Sequence, residues 1–169
     1  MSEQAVRAWA DAMSAGLARL MPVFEATFGF EPTDNHVALS GADAGPPAVG
    51  GRKLPEPLAE FYRVVAEAWL MDVHNGFRIE PVRSVTEESD AFPTRIVGAL
   101  AGEVFVFGSN GGGDLILMMA DGRVHEVGGG SFMYPEYDVD ECNIRTSFPD
   151  LQAFLDHVLA YLHEHLEHV

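Results

Sequence analysis

The densest run of charged and aromatic side chains is Tyr134-Pro135-Glu136-Tyr137-Asp138-Val139-Asp140-Glu141, which contains no base. Its acids would steer a basic partner, and its two tyrosines would supply contact area, so the run suits a protein-recognition loop. A solvated loop ahead of a helix has the same composition. Glu87, Glu88 and Asp90 form a smaller acidic run that is either solvated or borders the same face. The acids of Asp138–Glu141 resemble part of a calcium loop, but the Gly and terminal Glu of the full pattern are missing, so no metal is assigned.

The second chemistry-bearing segment is Phe107-Gly108-Ser109-Asn110-Gly111-Gly112-Gly113-Asp114. Asn110-Gly111 is a hairpin signal, because both residues tolerate positive φ. Three consecutive glycines exceed what a turn requires, so either the backbone passes close to something or Asp114 is held in unusual geometry. A phosphate loop is a poor match. No Gly-Lys-Ser/Thr follows, the flanks read as strands, and Asp114 would repel an anion.

Nucleophilic and metal chemistry find little support. Cys142 lies among acids that oppose a thiolate, and Ser109 lacks the spacing of a hydrolase elbow. His74 and His125 are single histidines in strand regions, read as core or edge residues. His157, His163, His165 and His168 crowd the last helix, but Glu167 replaces the second His of a His-Glu-x-x-His pattern. They read as a frayed helix end against its own carbonyls.

The 169 residues carry 26 acids against ten Lys and Arg, a formal net charge of −16. The bases are scattered, which argues against a phosphate-tracking surface and so against nucleic-acid binding. No apolar run reaches the length of a membrane span, and Glu3 and Asp11 disfavour a secretion signal. A single cysteine fits the cytoplasm.

These residues must be positioned by one domain, 1–169. Val6, Trp9, Ala10, Met13, Leu17, Leu20 and Met21 recur at helical spacing, predicting a helix over 3–21, with Phe24, Phe28 and Phe30 leading toward a short strand. Residues 31–53 read as an exposed connection rich in Gly and Pro, with a short strand at His36–Leu39. A helix opens at Leu54-Pro55-Glu56-Pro57 and carries Leu58, Phe61, Tyr62, Val65 and Trp69 on one stripe. Strands follow at 73–81, Thr94–Leu100, Glu103–Phe107, Leu115–Met119 and Arg123–Val127, the last four read as an antiparallel meander. Ser147 caps a closing helix whose buried face includes Leu151, Phe154, Leu155, Val158 and Leu162. The expected fold is α+β: an antiparallel meander of about five or six strands with N-terminal helices and a C-terminal helix packed on it.

Four segments form a series: Leu54-Pro55-x-x-Leu58-x-x-Phe61-Tyr62, then Gly76-Phe77-Arg78-Ile79-x-Pro81 with Glu87-Glu88 after it. The signature-like Val106-Phe107-Gly108-Ser109-Asn110-Gly111-Gly112-Gly113-Asp114, followed by Asp121-Gly122-Arg123-Val124, is the most specific. Ser147-Phe148-x-x-Leu151-x-x-Phe154-Leu155 closes the series. Together they resemble the SUKH superfamily, which includes immunity proteins of bacterial toxin systems and the domain of a fungal cell-wall assembly regulator. The resemblance implies a non-enzymatic protein-binding module, with no catalytic residue and no cofactor to carry over. Its implied partner is a basic protein, such as a nuclease toxin bound by occlusion. A regulatory adaptor is the alternative, and a ligand- or metal-dependent hydrolase using Gly111–Asp114 and nearby histidines is a third. Neither nucleic acid nor membrane is expected as a partner, and monomer or dimer is left open.

Overall fold

The computed structural model describes residues 1–41, 52–87 and 90–169. Gly45, Pro46, Pro47, Gly50 and Gly51 of the expected connection, and Glu88 of the smaller acidic run, lie outside the described residues. The protein is α+β, with four α-helices and ten strands among the described residues. None of these helices is long and apolar enough to cross a membrane.

Helix α1 (Glu3–Phe28) is capped by the Ser2 hydroxyl, which accepts from the Ala5 N–H, and ends at Gly29 in the left-handed conformation. It runs a full two turns beyond the expected stop at residue 21. Pro22 removes one donor without ending it, and Phe24 and Phe28 stack at 4.6 Å as an i,i+4 pair on the helix stripe rather than starting a strand. β1 (Asn35–Leu39) follows.

Helix α2 (Glu56–Val64) passes directly into β2 (Val65–Leu70). The expected helix reached Trp69, but the chain turns extended at the β-branched pair Val64-Val65. β2 then pairs with β1 on one side and, over Ala68–Leu70, with β3 (Phe77–Ile79) on the other, and two ladders outweigh a coincidental helical spacing. A short helix α3 (Val82–Thr86) leads toward β4 (Arg95–Gly98).

β5 (Gly102–Asn110), β6 (Leu115–Met119) and β7 (Val124–Val127) pair antiparallel in succession. The expected antiparallel meander is present in the order β4-β5-β6-β7, with β4 meeting β5 only at Glu103 and Gly102 while β5 also pairs with β3 along its end. On its other side β4 runs parallel to β9 (Glu136–Val139), which is flanked by β8 (Ser131–Met133). The glycine-rich, acidic stretch 128–146 is thus mostly strand, and its last strand, β10 (Ile144–Phe148), pairs with β7. There are more strands than expected because β8, β9 and β10 lie in a stretch read as loop and β2 in one read as helix.

Alternation along β5 decides the layering. Phe105 and Phe107 join the core beneath the helices, while Val104 and Val106 join a second core with Ile96, Leu117, Val127, Tyr137 and Val139. Helix α4 (Leu151–Leu166) is capped by Asp150, whose carboxylate accepts from Ala153 N–H at 2.8 Å. Ser147 is not the cap; it sits on β10, with its hydroxyl on His125. The Trp9 indole donates to the buried Leu155 carbonyl at 2.9 Å, tying α1 to α4. Phe154 is fully buried and meets Phe77, Phe107 and Phe148 edge-on. Tyr62 donates to the Glu80 carbonyl at 2.7 Å, and burial, reinforced by Glu80, pushes its phenol far above the usual range. Phe154→Ala should therefore cost about 3–5 kcal/mol and Tyr62→Phe about 1–2 kcal/mol, read from urea unfolding midpoints; equal losses would contradict this picture of the core.

Candidate interaction surface

β9 shows why the acidic run folds as it does. Glu136-Tyr137-Asp138-Val139 alternates polar and apolar, and the acids are exposed while Tyr137 and Val139 are buried. Tyr137 is therefore not a free contact residue, which corrects the expectation from sequence. Its ring joins the second core, and its hydroxyl accepts from Gly130 N–H at 3.0 Å. The period-2 alternation was the signal that should have placed it there.

Opposite β9, β8 carries Phe132 and Met133, and Tyr134 follows in a turn that contains the cis Tyr134–Pro135 bond. These three apolar side chains are exposed at 43%, 80% and 46%. Phe132 and Met133 were not singled out from the sequence, although Met133 lies in register with Glu136 and Phe132 packs edge-on against Tyr137. Glu136, Asp138, Asp140 and Glu141 are exposed beside them, and Asp138 and Asp140 line a shallow concavity with Gly129, Gly130, Ser131 and Asn143. Folding supplies bases that the linear run lacks. Arg95 lies 3.7 Å from Glu136, and Arg145 donates to the Cys142 carbonyl. Asp140 opens a 3₁₀ turn (Glu141–Asn143), and its N–H donates to the Asn143 side chain at 2.7 Å. Glu87 and Asp90 are exposed. Glu87 lines a small cleft with Thr94, whose N–H donates to the Pro135 carbonyl, so it borders the second layer.

The glycine-rich turn is occupied by protein. Gly111 N–H donates to the Asn75 and Gly76 carbonyls, and a Cβ at Gly111 would collide with the Asn75 carbonyl oxygen. Gly112 N–H donates to the Asn110 side chain and Gly113 N–H to the Asn110 carbonyl, so all three glycine donors are used. The same Asn110 amide group donates to Asp114 and Glu126. Asp114 lies 3.6 Å from Arg145 and fills the space where a Gly128 side chain would project. Gly108 likewise passes against the Arg78 carbonyl.

The histidines separate into distinct settings. His74, in the left-handed region at φ 54°, stacks on Tyr161 at 3.7 Å, and His157 lies between Phe148 and Tyr161. His165 packs edge-on against Phe28, so it is part of the α1–α4 seam rather than a frayed end. Among the described residues, no group of three His, Cys, Asp or Glu is placed to hold a metal. The fold also brings together a pair invisible in sequence: His125 Nδ1 and Ser147 Oγ are 2.7 Å apart. No acid orients that imidazole, because His125 Nε2 is buried without a hydrogen-bond partner.

Across β1, β2 and β3 the sheet face away from the helices carries another arrangement missed in sequence. His36 stacks on Trp69 at 5.7 Å, and the Arg78 guanidinium lies over the same indole at 4.7 Å. Arg78 also pairs with Glu80 at 3.0 Å. The registers His36↔Trp69 and Trp69↔Arg78 put the three in one row.

The chain matches no family model, no curated protein and no solved structure.

Two outcomes follow from this geometry. Gly111→Ala should destabilise by about 2 kcal/mol or more, because backbone must move. Gly113→Ala, at φ 83° with open space around it, should cost only about 1–2 kcal/mol of left-handed strain. Reversal of that order in chemical denaturation would contradict the docking of the two turns. Second, His125 is held below the ordinary histidine range, chiefly by burial and then by Arg123, and His165 by burial, then His168 and His74. The unfolded chain then binds protons first as pH falls, so stability is full above about pH 6.5 and declines below it toward the depressed folded values. Urea midpoints measured from about pH 7.5 down to about pH 5.5 should fall less steeply in His125→Gln than in the parent chain; identical slopes would remove His125 from the account.

Proposed function

We propose that this protein is a non-enzymatic binding module of the SUKH type, an immunity-like protein that docks its β8–β9 hairpin on a basic protein and occludes it. One observation carries the reading: Met133, exposed at 80% and in register with Glu136, and the adjoining exposed Tyr134 stand beside the exposed acids Glu136, Asp138, Asp140 and Glu141, while Phe132 stays half-exposed over Tyr137 on the other face of the hairpin. An apolar centre bordered by like charges is the composition of a recognition surface. Burying such side chains contributes about 1.5–3 kcal/mol each, and the acids steer a basic partner toward them. The net charge of −16 extends that steering beyond the hairpin.

The segments that carry the family resemblance also support it. They fold as a proline-opened helix (α2), a strand (β3), a glycine-turned hairpin (β5–β6) and a closing helix (α4). A nuclease toxin fits the partner role because its nucleic-acid cleft is basic, and a seated acidic hairpin would exclude substrate.

The test is capture of partners from lysate of the native cells by the purified protein, at low and high salt, with mass spectrometry of what is retained. One stoichiometric basic protein is expected, released as salt rises. Replacing Asp138, Asp140 and Glu141 together by Lys should weaken that complex at least about tenfold and flatten its salt dependence. Met133→Ala with Tyr134→Ala should weaken it about tenfold with the salt slope preserved. Unchanged affinity and slope in the triple variant would sink the hairpin assignment.

A further inference from the structure

We propose that the free edge of β1, with the groove between it and α1, is a strand-addition site for an extended partner segment that is apolar at its centre and basic at its flanks. This surface is separate from the β8–β9 hairpin. In the strand order β1-β2-β3-β5-β4-β9-β8 the two stand at opposite ends.

Among the described residues β1 pairs with β2 alone, so its other edge presents backbone donors and acceptors to whatever lies beside it. Edge strands are ordinarily blunted by Lys, Pro, a bulge or a covering element. Asn35-His36-Val37-Ala38 has neither Lys nor Pro, and the irregular register falls only after Ala38. Among the described residues, four residues of regular edge therefore have no strand beside them. Only extended backbone satisfies such an edge, which fixes the conformation of the occupant.

Beside the edge runs a groove of about 370 Å³, within the size range of ligand clefts. Its walls include Leu17, Ala18, Met21 and Pro22 from α1 and Val37 from β1. Pro22 has no N–H, so the Ala18 carbonyl in the same wall loses the donor four residues on. Met21 adds an adaptable thioether. Alternate side chains of an added strand would enter this groove, so apolar residues suit those positions.

Charge selects the flanks. One helical turn beyond each end of the α1 lining, counted from Ser14 and from Pro22, stand Asp11 and Glu25, both exposed. On the opposite sheet face His36 is bracketed by Asp34 at 3.0 Å and Glu67 at 3.6 Å. A basic side chain on the added strand would meet these carboxylates. Its neighbours would extend the row His36–Trp69–Arg78 by one strand.

The test uses a synthetic probe, acetyl-Lys-Val-Ser-Val-Thr-Val-Arg-amide, titrated into the isotope-labelled full chain while backbone amide resonances are followed. Saturable shifts at residues 35–39 and along the groove face of α1 are expected below about 1 mM. Two N-methylated versions, blocked at alternate residues, should differ at least tenfold, because one face of the peptide supplies the ladder and the other does not. Ala18→Trp, at an exposed position that fills the groove, should lose binding by a similar factor. The Lys triple variant of the hairpin should bind the probe unchanged, which separates this site from the proposed toxin-docking surface. The proposal is overturned by equal binding of both N-methylated peptides, by shifts confined to residues 131–141, or by no saturation at that concentration. Concentration-dependent shifts at residues 35–39 without peptide, accompanied by a dimer in sedimentation, would assign the edge to a second copy and overturn the partner segment.

Discussion

β5 is the constraint on which the rest of the fold depends. Its central residues are apolar on both faces, with Phe105 and Phe107 on one side and Val104 and Val106 on the other. A strand of that composition has no face to give to water, so it requires a layer on each side. Helices α1 and α4 cover the aromatic side, sealed by the bond from Trp9 to Leu155 and by Phe154 over Phe107. The valine side is covered by a second strand layer, in which β4, still paired with β5, takes β9 as a parallel neighbour on its other side.

That second layer is what creates the candidate interaction surface. Tyr137 and Val139 are drawn into the core by the need to cover Val104 and Val106, and the residues between them must then face out. Glu136 and Asp138 are presented as a consequence of burial next door rather than as a floating loop. β8 is tied to β9 but covered by nothing else among the described residues, so Phe132 and Met133 are left exposed. A structural requirement on one face of β9 thereby shapes the proposed recognition surface on the other.

At the opposite margin, backbone packing replaces side-chain packing. The 75–76 turn and the 110–113 turn share hydrogen bonds through Gly111, and Asn110 gathers Gly112, Asp114 and Glu126 around one amide. Gly128 leaves room for Asp114, which reaches Arg145 on β10. The glycines serve this approach of main chain to main chain, a role that needs the absence of Cβ rather than a ligand. The β1 edge, without a strand partner beyond β2 among the described residues, lies on the same side of the sheet.

The sequence by itself determined what depends on neighbours along the chain. The start of α1, the buried face of α4, the strands β5, β6 and β7 and their turns follow from periodicity, glycine placement and capping, all of which act within a few residues. It also determined the charge and its sign. What only the tertiary structure decided were choices between competing local patterns and all partnerships at long range. Val65–Leu70 became strand because β1 and β3 both pair with it, and helical spacing could not report those partners. Tyr137 went inside because β5 needed cover, Arg95 came to Glu136 and Arg145 to Asp114 from distant positions, and His36, Trp69 and Arg78 met only through strand register. Local propensities differ by about 1 kcal/mol or less per residue. A fully buried aromatic or a completed ladder outweighs that, and the information for it lies in residues far away along the chain.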